Sequence, residues 1–203
     1  MCSPRCIVFG SKNLKETEVK GASVIEIGSR NVNGGLRQHI ESLNPVEYIG
    51  VDIVKGNGVD VICDAENIVA QFGPERFDIV VSTEMLEHGR NWRSVIWNMK
   101  TVLRPGGIIL ITTRAPGFGY HGFPDDYWRF TVTNMEAIFS DFNINELEWD
   151  TPANHRGVFV KATKSKGADL EQINLFSIIT EKPQLNISNI EIAEFLKSYD
   201  PDK

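Results

Sequence analysis

Short apolar runs alternate with helical patterns from about residue 22 onward, and this alternation restricts the possible folds more than any other feature. Five of the runs are rich in β-branched residues and are predicted strands: 22–27, 47–52, 59–64, 77–82 and 108–112. Strands that alternate with helices predict a mainly parallel sheet with helices on both faces. In such sheets, ligands bind outside the carboxyl ends of the strands. The residues that follow each strand are therefore the first candidates for a site.

The helical patterns are recognised from apolar residues that recur at the spacing of one helix face. The strongest covers 92–103 and is expected to end at Arg-Pro-Gly-Gly, 104–107. Thr133 and Glu136 predict a capping box for a helix that carries Met135, Ile138 and Phe139. Residues 142–149 and 157–163 are predicted closing strands, and 164–203 are a tail with a patchy amphipathic stretch.

Composition narrows the classes of partner. The chain has 21 Lys and Arg against 27 Asp and Glu, a net charge of −6, which argues against general binding to nucleic acid or anionic membranes. No apolar run approaches the roughly 18 residues of a membrane span, and the N-terminus lacks a signal-peptide pattern, so we expect a cytoplasmic protein. With three cysteines, no disulfide framework is predicted. Cys2 and Cys6 are interpreted as ordinary thiols near a mobile terminus, and no metal site is predicted.

Three successive strand ends carry residues suited to a nucleoside-bearing ligand. The first strand ends in a Gly-rich turn from Gly28, where backbone can approach a ligand closely. Asp52 ends the second strand, where an acid accepts hydrogen bonds from ribose hydroxyls. Asp64 ends the third strand, a place that suits recognition of an adenine amino group. Taken alone, the turn is compatible with a dinucleotide, with S-adenosylmethionine or with no ligand.

Several segments together resemble the class I S-adenosylmethionine-dependent methyltransferases, of the broad type-11 group. The resemblance covers residues 20–163 and rests on VIEIGS at 24–29, YIGVD at 48–52, CDA at 63–65, FDIVVSTEMLEH at 77–88 and LRPGGIILIT at 103–112. It implies an α/β fold, a Rossmann-like three-layer sandwich. Its seven-stranded, mostly parallel sheet has the order 3-2-1-4-5-7-6, with strand 7 antiparallel. We expect a methyltransferase domain at 1–163 with its core at 20–163, and a separate tail at 164–203.

The resemblance also implies roles at matching positions. Arg30 and Val32 replace two glycines of the usual turn, and Asn33-Gly34-Gly35 follows slightly later. Glu26 would support the turn, Gly28 and Ser29 would contact the methionine part of the cofactor, and Asp52 would hold its ribose. The other implied cofactor contacts are Ile53, Asp64 and Ala65 at the adenine, and a loop from Ser82 to Glu84 beside the reacting methyl group.

The segment 120–130 is a second resemblance, to a His-x-x-Pro-x-Asp-Tyr-Trp-Arg-Phe motif of methyltransferases often associated with sugar or cell-surface glycan pathways. It follows the fifth strand, so it should overhang the acceptor entrance. Trp128 and Phe130 are expected in the core. The remaining candidates are His121, His88 and Asp126 as catalytic groups, with His121 as general base, and Tyr127 and Arg129 as acceptor-binding groups. For Asp126 and Arg129, an ion pair that stiffens the loop is the alternative.

The sequence thus predicts an S-adenosylmethionine-dependent methyltransferase acting on a small molecule, with a sugar or glycan precursor as one acceptor. A nicotinamide-dependent oxidoreductase and a non-catalytic module that binds a partner are the alternatives. A homodimer through the loop or the tail is left open.

Overall fold

The computed structural model describes residues 3–122, 124–151, 156–165 and 174–199. Its centre is a seven-stranded sheet in which six strands run in the same direction and the one next to the last edge strand is antiparallel to both its neighbours. The strands of this sheet are β1 (Ser23–Ile27), β2 (Glu47–Asp52), β3 (Val61–Ile62), β4 (Phe77–Thr83), β5 (Leu103–Arg114), β7 (Phe142–Trp149) and β8 (Gly157–Lys164).

The strand order is β3-β2-β1-β4-β5-β8-β7. The short strand β6 (Trp128–Arg129) lies outside this sheet, so counting only the sheet strands gives the predicted order 3-2-1-4-5-7-6. The predicted fold class is confirmed. Because the order reverses between β1 and β4, the loops after these strands diverge and leave a crevice at the carboxyl edge of the sheet.

Helices cover both faces of the sheet. They are α1 (Pro4–Asn13), α2 (Glu16–Val19), α3 (Arg37–Ser42), α4 (Ile68–Phe72), α5 (Trp92–Val102), α6 (Val132–Ile138) and α7 (Asn189–Ser198). Successive β4 residues point to opposite faces, as the strand period requires. Val80 lies in the core that contains Ile96 of α5, and Val81 lies in the core that contains Phe9 of α1.

Four local predictions need correction. The third strand is only Val61–Ile62, because pairing with β2 is limited to these two residues. The fifth begins at Leu103, directly after α5, since Phe77 pairs with Leu103 before an irregular stretch. The capping box is formed by Thr131 and Asn134, two residues earlier than predicted. Cys6 is fully buried in α1 and not at a mobile terminus, whereas Cys2 lies outside the described residues.

The described part of the tail pairs with the segment 120–130. The strands β9 (Leu175–Ser177) and β10 (Lys182–Gln184) form a second sheet with β6. Leu175, Ile179 and Ile187 are buried in the same core as α5. None of the helices in the described ranges is long and apolar enough to span a membrane.

Candidate cofactor and acceptor site

The turn after β1 brings backbone to the carboxyl edge of the sheet. Gly28 has φ +80°, a conformation that favours glycine, and a Cβ there would lie 2.5 Å from the Met85 side chain. The amides of Gly28 and Ser29 both donate to the Val51 carbonyl, which fixes the turn against β2. The Ser29 hydroxyl is buried and has no hydrogen-bond partner among the described residues. The turn therefore offers a close approach together with an unsatisfied polar group.

Glu26 is held below this turn. It is buried in β1 and accepts a hydrogen bond from the Tyr48 hydroxyl. Burial raises the pKa of Glu26 to about 7, although the Tyr48 hydrogen bond opposes the shift. The side chain lies inside the sheet next to the Gly28 turn, and its support of the turn stays a prediction.

Asp52 connects the first two strand ends. Its carboxylate accepts the amide of Arg30 at 3.2 Å and the amide of Val54 at 3.1 Å. A carboxylate has capacity for further hydrogen bonds beyond these two. The neighbouring Ile53 side chain is 49% exposed, so an apolar surface is free beside the acid. This combination suits a ribose with a base lying against Ile53.

Asp64 lies at the end of β3 and is exposed. Its side chain accepts the amide of Glu66 at 2.8 Å and caps the short 3₁₀ turn Ala65–Asn67. Ala65 is half-buried. The acid is thus fixed in direction by the turn while it faces solvent at the sheet edge.

A cavity of about 160 Å³ opens beside the Gly-rich turn. Its walls come from the ends of β1 and β4, the turn, the start of α3 and the loop after β2. The lining residues are Glu26, Gly28, Ser29, Arg30, Asn31, Gly34, Gly35, Arg37, Gln38, Glu41, Asn57, Gly58 and Thr83. Asp52 and Asp64 lie outside this cavity, on the neighbouring strand ends. A glycine cradle, an unsatisfied buried hydroxyl and a strand-end acid fit a nucleoside-bearing cofactor with a polar extension.

The residues after β4 differ from the predicted loop. Ser82 is fully buried inside β4, because pairing with β5 continues through Thr83. The loop begins at Glu84, which has φ +55° and is buried. Its carboxylate forms an ion pair with Arg114 and accepts a hydrogen bond from the Cys6 thiol at 3.2 Å. Burial, and to a smaller extent repulsion from Glu87, raises the pKa of Glu84.

Sequence reasoning missed Cys6 and Arg114, which hold Glu84. Both are far from it along the chain, and burial brings them together. Burial also raises the pKa of the Cys6 thiol to about 12, so this sulfur is a neutral hydrogen-bond donor rather than a nucleophile.

Two histidines and a glutamate meet where the loops after β4 and β5 face each other. Glu87 is fully buried, and its Oε2 accepts the Thr113 hydroxyl at 2.7 Å. The other oxygen, Oε1, lies 3.5 Å from Nε2 of His121 and 3.9 Å from Nε2 of His88. The two imidazole rings have centroids 4.9 Å apart. Glu87 belongs to the motif at 77–88, but its sequence position gives no sign of this convergence.

Asp126 stands behind His121 in the same loop. Asp126 is buried, and its Oδ2 lies 2.8 Å from Nδ1 of His121. Arg129 binds both oxygens of Asp126, at 2.5 and 2.6 Å. The remaining guanidinium N–H groups bond to the carbonyls of Phe118, Gly119 and Trp128. All five donors of this buried guanidinium are therefore used inside the protein.

Charged neighbours shift the pKa values of His121, Asp126 and Glu87. Burial alone would lower the pKa of His121, but Asp126 and Glu87 outweigh it and raise the value to about 9. Burial opposes ionisation of Asp126, yet Arg129 and His121 lower its pKa to about 2. The pKa of Glu87 is lowered as well, because the contacts with His121, His88 and Thr113 outweigh its burial.

The aromatic residues of the loop separate into core and surface. Trp128 and Phe130 are fully buried, which confirms that both belong to the core. Tyr127 is largely buried, and its hydroxyl donates to Asp125 at 2.9 Å. Tyr120 contacts Phe195 and Tyr199, next to the C-terminal end of α7. The loop and the tail therefore form one structure above the sheet edge.

Comparison with known proteins connects this arrangement to a family. Residues 8–161 match a family model described as a methyltransferase domain. The chain belongs to the methyltransferase domain family. The class I resemblance is confirmed, and the methyltransferase family supports S-adenosylmethionine as the cofactor.

Two curated relatives share a name. The domain is 27% identical over 112 residues to a ubiquinone biosynthesis O-methyltransferase of Chromobacterium violaceum, covering 49% of this chain and 47% of that protein. It is also 27% identical over 106 residues to the protein of that name from Idiomarina loihiensis, covering 46% and 42%. The chain thus spans about half the length of the curated relatives it matches.

Solved structures share the fold at low sequence identity. A Burkholderia thailandensis 1,6-didemethyltoxoflavin-N1-methyltransferase, solved with that compound and S-adenosylhomocysteine, has a TM-score of 0.63 at 16% identity, covering 79% of each chain. A Haemonchus contortus phosphoethanolamine N-methyltransferase 2 with bound S-adenosyl-L-methionine has a TM-score of 0.57 at 20% identity, covering 79% of this chain and 51% of that one. At these identities the likeness establishes the fold alone.

Proposed function

We propose that this methyltransferase domain transfers a methyl group from S-adenosylmethionine to an oxygen of a small-molecule acceptor. The observation that carries the proposal is the buried polar cluster of Glu87, His88 and His121, which lies on the same sheet edge as the Gly28 turn. Both curated relatives are named O-methyltransferases, which favours oxygen over nitrogen as the accepting atom. The net charge of −6 favours a small molecule over nucleic acid.

The cofactor roles follow the geometry of the strand ends. Gly28 and Ser29 bind the methionine part, with Glu26 as support beneath them. Asp52 binds the ribose hydroxyls. The adenine contacts are Ile53, Asp64 and Ala65. Glu84 lies at the start of the loop beside the methyl group, and Ser82 is buried in β4 just before that loop. When bound, the cofactor supplies a methyl group on a sulfonium, whose carbon–sulfur bond breaks as the carbon–oxygen bond to the acceptor forms.

The protein aligns the acceptor and excludes water while this displacement occurs. His121 receives the hydroxyl proton of the acceptor, and His88 and Asp126 keep its ring in place. Because the flanking carboxylates raise the pKa of His121 to about 9, the imidazole is largely protonated at pH 7. Turnover that depends on the neutral ring should therefore rise with pH up to about 9.

For Arg129, the ion pair with Asp126 favours the predicted loop-stiffening alternative over acceptor binding. Its five N–H groups are all bonded within the protein, so we propose that it positions the loop through Asp126 instead of binding an anionic acceptor. Tyr127 stays a candidate acceptor contact, since it lies in the same loop beside Asp125. A sugar or glycan precursor remains a prediction about the acceptor that rests on the segment 120–130.

The test is a screen of hydroxyl- and amine-bearing small molecules that records release of S-adenosylhomocysteine. With an accepted hydroxyl compound, we expect His121→Asn to lower kcat by about 10²–10⁴-fold while affinity for S-adenosylhomocysteine is unchanged. His39→Gln is the matched control, because His39 lies in α3 and contacts the Leu14 carbonyl. Unchanged turnover in His121→Asn contradicts the base assignment. Cofactor binding without turnover on any acceptor favours the non-catalytic alternative.

A further inference from the structure

Three side chains converge on one point at the edge of the sheet. Oε1 of Glu87, a ring nitrogen of His88 and a ring nitrogen of His121 all lie within 4.8 Å of one another. Oε1 lies 3.5 and 3.9 Å from the two Nε2 atoms. Ligand atoms about 2.0–2.2 Å from a tetrahedral ion are roughly 3.3–3.6 Å apart, so the 3.5 Å distance fits a shared cation and the other atoms would close on it by a few tenths of an ångström or more.

Two of the three atoms that face this point have no hydrogen bond within the described structure. Glu87 is fully buried, yet its Oε1 accepts no hydrogen bond from the described residues. Nε2 of His121 is likewise buried and without a hydrogen-bond partner there. An unsatisfied buried carboxylate oxygen is costly unless a cation or donor occupies the space before it.

Each of the three side chains also has a polar partner on the side that faces away from this point. The Thr113 hydroxyl donates to the other oxygen of Glu87 at 2.7 Å. Nδ1 of His88 lies 2.6 Å from the Asp125 carbonyl, so this nitrogen carries the proton and Nε2 is left as the free lone pair. Nδ1 of His121 lies 2.8 Å from the carboxylate of Asp126. Metal-binding histidines characteristically have such a carbonyl or carboxylate behind the outer nitrogen.

The charge balance also leaves room for a cation. Arg129 is committed to Asp126, and Arg114 forms an ion pair with Glu84. Glu87 faces the two histidines with its other oxygen, so a cation at their centre would balance its buried charge.

We propose that Glu87, His88 and His121 bind a divalent transition-metal cation such as Zn²⁺. Two imidazoles and one carboxylate leave a coordination position open, as in catalytic zinc sites. An acceptor oxygen could bind at that position, where the cation would stabilise the oxyanion and the hydroxyl proton would pass to water more easily. Metal binding stands by itself, whereas this role in presenting the acceptor rests on the proposed function and takes the place of His121 as proton acceptor, because Nε2 of His121 then binds the ion.

The first experiment uses the full chain with no substitution. After treatment with a chelator and dialysis, the protein is titrated with Co²⁺ and followed by its visible absorption. We expect one Co²⁺ per chain, displaced by Zn²⁺, and X-ray absorption of the Zn²⁺-loaded protein showing imidazole nitrogen and oxygen ligands. Absence of stoichiometric binding overturns the site. A sulfur-dominated metal environment also overturns it, since the described cysteines lie elsewhere.

Substitutions then locate the ion. Glu87→Gln, His88→Ala and His121→Ala should each weaken Co²⁺ binding more than 100-fold, and Thr113→Val, which removes an outer contact, should weaken it roughly 10–100-fold. His39→Gln, the control, should bind Co²⁺ as the unsubstituted chain does. Ligand variants that bind Co²⁺ as tightly as the unsubstituted chain does overturn the assignment.

A parallel titration with S-adenosylhomocysteine separates the two proposals. The ligand variants should retain cofactor binding, which also shows that they fold. Metal binding without turnover on any acceptor contradicts the proposed function but leaves the metal site standing. Turnover that is unchanged by the chelator and by Zn²⁺ contradicts the role of the metal in presenting the acceptor.

Discussion

At the scale of single residues, buried acids carry most of the site's electrostatics. Glu26 is the clearest case, because it lies inside the sheet, apart from the histidine cluster, with Tyr48 as its hydrogen-bond donor. Its pKa is about 7 in the folded chain against an ordinary value of 4.5. The folded state therefore binds this proton more tightly than the unfolded state does.

This difference gives Glu26 a defined effect on stability. Its contribution is fully present below about pH 4.5 and is lost as the pH rises through 7, by an amount on the order of 3 kcal/mol. Glu26→Gln keeps an acceptor for Tyr48 but cannot ionise. We expect the variant to gain stability relative to the unsubstituted chain between pH 5 and pH 8, measured by urea unfolding without cofactor. Parallel pH profiles of the two proteins would contradict the buried, perturbed carboxyl.

Gly28 gives a second prediction at this scale. Gly28→Ala introduces a Cβ at φ +80° that meets the Met85 side chain at 2.5 Å. Gly21→Ala is the matched control, with φ +74° and nothing within 4 Å of the added Cβ. We expect about 1 kcal/mol of destabilisation in the control, from backbone strain alone, and a larger loss in Gly28→Ala. Calorimetry should also show weaker binding of S-adenosylhomocysteine only in Gly28→Ala, and equal affinities in the two variants would contradict a tight turn at the cofactor.

At the scale of elements, the tail is the part whose role only packing reveals. The match to the family model ends at residue 161. Beyond it, β9 pairs with β6 of the segment 120–130, and Leu175 is fully buried. We infer that the described part of the tail stabilises the segment 120–130 by packing against it.

Leu175→Ala tests this role. Removing a buried leucine side chain should lower the free energy of unfolding by about 2–5 kcal/mol. Leu196→Ala, on the exposed side of α7, should change it by less than about 0.5 kcal/mol. Both values come from urea unfolding. A small effect of Leu175→Ala would indicate that the tail is not part of the folded unit.

At the scale of the whole molecule, cofactor binding should stabilise the fold. S-adenosylhomocysteine at about 100 times its Kd adds roughly 2.7 kcal/mol, which for a chain of this size is a rise in Tm of about 5–11 °C. NAD at the same concentration should leave the Tm unchanged, because the turn lacks the dinucleotide glycine pattern. A thermal melt with each compound checks this. Stabilisation by NAD alone would support the oxidoreductase alternative.

The order of strands and helices, the parallel sheet and the glycine and acids at its strand ends could all be predicted from the amino-acid sequence. These features are local, since a strand, its period and the residue that ends it are adjacent in the chain. The predicted ends of individual elements were less accurate. The capping box begins at Thr131 because α6 already begins at Val132, and β3 has two residues because only these pair with β2.

The contacts between charged groups, in contrast, depend on the packing of distant segments. Cys6, Glu84 and Arg114 come from three separate elements, and burial unites them. The convergence of Glu87 with His121 likewise depends on how the loops after β4 and β5 cross above the sheet. Contacts between distant loops depend on packing and not on any local pattern, so the cofactor side could be predicted from the sequence while the acceptor side could not.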